Sequence, residues 1–153
     1  MIGIERRDNA LVTATQLVWF KRDLRMSDHA PLCSAIRAGP TIGVYVFEPS
    51  WLSADTTHSS HARFALQCLG DLRARFEAAG GRLYVRVGEV VEVFDRLHIE
   101  IPFAHVWSHE ETGDDSSYRR DRAVKRWCRG RRVGWTELVQ SGVIRGRGDK
   151  RRA

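Results

Sequence analysis

No apolar run in this chain approaches the ~20 residues that a membrane span requires. Its first fifteen residues, MIGIERRDNALVTAT, lack the apolar centre of a secretory signal. Cysteine is scarce: Cys33, Cys68 and Cys128 are an odd number, far apart, with no Cys-x-x-Cys pair. That usage argues against a disulfide framework or a thiolate metal site, and fits reduced, partly buried thiols in a cytoplasmic protein. No Gly-x-Gly-x-x-Gly follows the first apolar run and no Gly-x-x-x-x-Gly-Lys-Ser/Thr occurs, so a pyrophosphate held on a glycine loop is not expected. A Gly-x-Ser-x-Gly elbow is missing too, which leaves hydrolase chemistry without a nucleophile. The histidines show no ligand spacing on a shared helix, and His58 and His61, beside a helix start, read as solvated. Internal repeats and low-complexity segments are absent. The residues alone nominate neither a catalytic group nor a metal site.

What is present describes one globular domain: 153 residues, 42% apolar and 29% charged, enough to close a hydrophobic core. The net charge of +6 is unevenly placed. Residues 1–117 carry 12 Lys/Arg against 16 Asp/Glu, whereas residues 118–153 carry 13 against 3, so the basic character belongs to the last quarter. Such a block serves polyanion binding, or is a solvated helix face followed by a tail.

Apolar, β-rich runs alternate with helical patterns. Strands are expected at Gln16–Phe20, Thr41–Glu48, Arg82–Val87, Phe103–His109 and Val133–Val139. Asp28 reads as the cap of a short helix with Pro31 in its first turn. Ser59 or Ser60 reads as the cap of a long one, whose Ala65, Leu69, Leu72 and Phe76 step by 4, 3 and 4 along one face. Further helices are expected over Glu89–Ile99, with Val90, Val93, Phe94 and Leu97 inward, and over Ser117–Arg131, with Ala123, Val124, Trp127 and Cys128 inward. Strands and helices in strict alternation predict an α/β fold, a five-stranded doubly wound parallel sheet of Rossmann-like type with helices on both faces. The expected organisation is a tail over 1–15, the α/β domain over 16–140, and a basic tail over 141–153.

In such folds ligands bind beyond the carboxyl ends of the strands, and the charge of this chain gathers there. The first strand runs into Lys21, Arg22, Asp23 and Arg25, the second into Glu48 and then Trp51, the fourth into His109, Glu110 and Glu111. Guanidinium groups suit acidic or heteroaromatic ligands, but the same arginines can pair with Glu48, Glu110, Glu111 or Asp121 and only hold the loops together. Asp23, between arginines, reads as structural. Trp51 can stack on a flat ligand or lid its own core.

The stretch LVWFKRDLRMSDHAPLCSAI resembles the opening of the photolyase/cryptochrome family. The similarity continues through VYVFEPSWL, ARFALQCLGDLRARFEAAGGRLYVRVGE and VWSHEETGDDSSYRRDRAVKRWC, and spans about residues 16–145. SHEETG and QSGVIR resemble its bacterial cryptochrome-like members more than the animal ones. The resemblance implies an N-terminal α/β domain that in many members holds an antenna chromophore: a folate, a deazaflavin, flavin mononucleotide or a lumazine. The antenna serves FAD in a separate helical domain, which grips DNA and flips out the lesion. By the same resemblance the antenna crevice is drawn from Arg22, Asp23, Arg25, Phe47, Glu48, Trp51, Glu110, Glu111, Arg119 and Asp121, with an Arg22–Asp121 ion pair as a structural alternative. The sequence ends GRGDKRRA without a counterpart of the FAD-binding helices, so FAD is expected only on a helical partner domain or chain, and photorepair by this chain alone is not expected. Contact with DNA is expected to be weak or indirect, and no membrane partner is implied. A free-standing basic nucleic-acid-binding protein and an inactive truncated remnant are the competing readings.

Overall fold

The computed structural model describes residues 13–52 and 59–140. The expected tails therefore fall outside the described residues, save 13–15, as do His58 and the side chain of Trp51. Five strands, β1 (Gln16–Phe20), β2 (Thr41–Phe47), β3 (Arg82–Val87), β4 (His105–His109) and β5 (Gly134–Leu138), form one parallel sheet in the order β3-β2-β1-β4-β5. The helices are α1 (Ala30–Ala38), α2 (Pro49–Leu52), α3 (Ser59–Ala78), α4 (Val90–Glu100) and α5 (Asp115–Arg131). The short α2 stands where a loop was expected. No helix among the described residues is long and apolar enough to cross a membrane.

Alternation along the strands divides the core into two layers. Leu17, Trp19, Val44 and Val46 pack with Val90, Val93, Phe94 and Leu97 of α4 and Val124 and Cys128 of α5. Val18, Phe20, Tyr45 and Phe47 pack on the opposite face with Leu32 and Ala35 of α1 and Ala65, Leu69, Leu72 and Phe76 of α3. The inward faces read from the 3.6-residue period are the buried ones in α3 and α4, whereas on α5 Val124 and Cys128 are buried and Ala123 and Trp127 half-buried. Cys128 is buried, whereas Cys33 is exposed rather than partly covered.

Two helix starts differ from expectation. Asp28 takes a left-handed backbone conformation (φ 52°), and His29 caps α1 instead, its Nδ1 accepting the Leu32 N–H at 3.1 Å. Helix α5 begins two residues before the expected Ser117. Its cap, Asp114, accepts from Ser117 N (3.0 Å), Ser116 Oγ (2.7 Å) and Ser117 Oγ (3.1 Å). The Ser117 amide and the two hydroxyls hold this carboxyl down at about 2.

At the β5 edge, Gly134 lies opposite His105, and a Cβ there would collide with His105 Nδ1. The ring is itself held by Thr136 Oγ1 at 2.8 Å. Gly134→Ala is expected to displace the ring and weaken the edge by about 1–3 kcal/mol, read as a lower denaturation midpoint with an unchanged denaturant slope.

Candidate functional site

The strand order reverses between β1 and β4, which is where a doubly wound sheet opens a crevice. A cleft of about 300 Å³ lies at that end, lined by Lys21, Arg22, Asp23, His109, Glu110, Glu111, Thr112, Val139 and Gln140. Its walls thus come from the loops that follow β1, β4 and β5.

The charge that ends β1 separates as the chain leaves the sheet. Lys21 turns inward, its side chain 3% exposed, and its ammonium sits between Asp121 Oδ2 (3.3 Å) and Glu137 Oε1 (3.2 Å). It also lies 4.4 Å from the Trp19 ring centroid, so a buried cation is matched by two carboxylates and a π face. Arg22 turns outward, 67% exposed, and pairs through Nε with Glu111 Oε1 at 2.9 Å. Beneath them Arg120 holds Glu48 Oε1 (3.2 Å), Glu111 Oε2 (2.5 Å) and Asp121 Oδ1 (2.9 Å), with its guanidinium 5.0 Å from the Trp19 ring. Burial disfavours the charge on Arg120, but the Glu111 hydrogen bond and the fields of Asp121, Glu111 and Glu48 overcome it and hold the guanidinium charged. Burial raises the Glu48 carboxyl above the ordinary range, and Arg120 offsets only part of that.

Asp23 is buried and takes donors from three directions. Its Oδ1 accepts the Lys21 N–H at 3.1 Å, and its Oδ2 contacts His109 Nδ1 and His29 Nε2. The His29 approach is off-line for a well-directed hydrogen bond, yet no other acceptor among the described residues reaches that buried nitrogen. Burial alone would raise the Asp23 pKa. The close approach of His29 and the hydrogen bond from His109 outweigh it and leave the carboxyl below its ordinary value.

The family model for DNA photolyase matches residues 16–145. This chain belongs to the DNA photolyase family. Over 116 residues it is 35% identical to Cryptochrome DASH of Gloeobacter violaceus, an alignment covering 71% of this chain and 23% of that protein. The fold superposes with a TM-score of 0.77 and 28% identity on a bacterial class III photolyase from Agrobacterium tumefaciens, covering 88% of this chain and 27% of that one. An archaeal photolyase from Sulfolobus tokodaii, solved with two FAD molecules, shares the fold at a TM-score of 0.72 and 24% identity, covering 82% of this chain and 29% of its own. This photolyase-family chain spans less than a third of the length of these relatives.

Of the ten residues that the family resemblance nominates, Arg22, Asp23, Glu110 and Glu111 line the cleft. Glu48 and Asp121 lie in the ion-pair layer under it. Phe47 does not line it: the side chain is packed in the α3-side core against Tyr45, ring centroids 4.9 Å apart, because its strand position points to that face. Arg25 and Arg119 are exposed and, among the described residues, reach only local backbone, Asp28 O and Asp115 O, each at 3.4 Å. The Arg22–Asp121 pair does not form: Arg22 takes Glu111, and Asp121 takes Lys21 and Arg120. The residues that sequence reasoning left without a role are Lys21, His29, His109, Arg120 and Glu137. Lys21 and His109 stand at strand ends, which was a usable signal, whereas nothing local distinguishes Arg120 from its arginine neighbours.

Proposed function

We propose that this photolyase-family domain binds a light-harvesting chromophore in the cleft between the ends of β1 and β4, for use by FAD on a helical partner domain or chain. The observation that carries this reading is the position of the cleft at the point where the strand order reverses, walled by charged side chains. The Sulfolobus relative, described with two FAD molecules and a novel light-harvesting cofactor, favours it. The candidate chromophores, a folate, a deazaflavin, flavin mononucleotide or a lumazine, share a flat heteroaromatic ring with polar edges. Glu110 lines the cleft and has no ion pair among the described residues, so it is free to meet such an edge.

Absorption and fluorescence spectra of the purified chain, alone and after incubation with each candidate, test the reading. A near-ultraviolet or blue band that stays with the protein is expected, and Glu110→Ala is expected to weaken binding roughly tenfold, the loss of one hydrogen bond to a charged group. A chain that takes up none of the four chromophores fails the reading.

A second reading, weak or indirect contact with DNA, is favoured by α5, where Arg119, Arg122, Lys125, Arg126 and Arg129 are all exposed. Binding through phosphates is expected to fall steeply with salt. Duplex binding that is unmeasurable at low salt removes this reading.

A further inference from the structure

We propose that His109 is a preset hydrogen-bond acceptor on the cleft wall, with Asp23 and His29 as the positioning residues that fix its tautomer. The ligand edge it selects is one that carries an N–H or O–H donor. This deepens the chromophore reading of the cleft and rests on it for the identity of the ligand.

His29 Nδ1 accepts the Leu32 N–H that opens α1, so this nitrogen carries no proton. The proton of the neutral ring is therefore on Nε2, which faces Asp23 Oδ2. Asp23 takes a backbone N–H from Lys21 on its other oxygen, leaving the carboxylate with acceptors only. The hydrogen bond between Asp23 Oδ2 and His109 Nδ1 must then use a proton that belongs to His109. With Nδ1 protonated, the lone pair of a neutral His109 is on Nε2. His109 lines the cleft, and Nε2 has no hydrogen-bond partner among the described residues. Glu110 adds a second acceptor on the same wall, while Arg22 is committed to Glu111. Such a wall matches the N–H-bearing edge of a heteroaromatic ring and disfavours a phosphate or carboxylate.

The same three side chains offer Asp23, His29 and His109 atoms within 4.8 Å of one another, a spacing open to a metal ion. The α1 cap opposes that use. A metal on His29 Nε2 requires the ring proton on Nδ1, where it would confront the Leu32 N–H, donor against donor.

Long-range proton–nitrogen correlation spectra of the ¹⁵N-labelled full chain, at mildly alkaline pH without ligand, decide the tautomer. A pyrrole-like Nδ1 and a pyridine-like Nε2 for His109 are expected; the opposite tautomer or an imidazolium overturns the proposal. Asp23→Asn, checked for folding by circular dichroism, is expected to release His109 into a tautomer mixture, and a retained pure Nδ1–H form would remove Asp23 from its role. Added flavin mononucleotide or folate is expected to shift the Nε2 resonance, whereas a bound probe that leaves it unmoved overturns the acceptor role. If neither binds, the chromophore reading fails, and the ligand-free tautomer still decides the positioning claim. Zinc alone is expected to leave both rings unperturbed at micromolar concentration; stoichiometric broadening of His29 and His109 together overturns the proposal in favour of a metal site.

Discussion

Replacing Arg120 with methionine is expected to lower stability by about 3–5 kcal/mol, the loss typical when one member of a buried ion cluster is removed. At this chain length that is a fall in Tm of roughly 10 °C or more. The side chain is 17% exposed and its guanidinium is shared among Glu48, Glu111 and Asp121, themselves 9–18% exposed. Methionine keeps much of the volume against Trp19, so the effect isolates the charge. Three largely covered carboxylates would then face one another, with Lys21 and Arg22 the cations left paired to them among the described residues.

The pH dependence has a defined sign. Glu48 has its folded-state pKa raised, by burial first and with Arg120 opposing. Between the unfolded and the folded pKa the native state binds more protons, so stability falls as pH rises through that window. Without Arg120 the folded pKa climbs further. The deficit of Arg120→Met is therefore expected to be largest near neutral pH and to shrink on acidification. Denaturant titrations of both proteins at several pH values check this; a deficit that grows as pH falls would contradict the assignment.

Asp23→Ala is expected to cost about 3 kcal/mol or more. It strips the acceptor from the Lys21 N–H and from His109 Nδ1 and takes away the carboxylate that faces His29 Nε2, and each orphaned buried donor costs about 1–3 kcal/mol. Asp23 itself has a folded pKa below its ordinary value of 3.8. Its contribution is thus fully present above that value and is lost as pH falls through the lower, folded one. Relative to the parent, the alanine variant is expected to show its full deficit at neutral pH and a gap that narrows at strongly acid pH. Thermal unfolding monitored by circular dichroism over that range measures it.

The fold was legible because its signals are local. TIGVYVF is buried on both faces and reads as an unbroken apolar run, and the faces of α3 and α4 follow a 3.6-residue period that tertiary packing does not disturb. Caps were less legible. Asp28 is the better capping residue by type, but His29 takes the position, where its ring also meets Asp23 and lies tilted 4.5 Å from His109, a contact made across the fold. The site was legible only as a place. Lys21 meets Asp121 and Glu137 across 100 and 116 residues, and no local pattern announces partners at that separation. Phe47 shows the converse: a residue inside a suggestive motif packs in the core, since alternate positions on a strand point to opposite layers.

The strand order has a consequence for the order of events when the chain is made. β1 emerges from the ribosome before the other four strands of this sheet, yet it ends in the middle of it. Its β2 side can close early, but its other side has no partner until His105–His109 has been synthesised. Lys21 waits longer still, for Glu137 in the last strand. Until residues 105–109 are made, the nascent domain therefore carries an open, strongly apolar strand edge, the kind of surface on which chains pair wrongly with one another. The cleft, framed by the first strand and the last two, is the final part of the domain that can come into being.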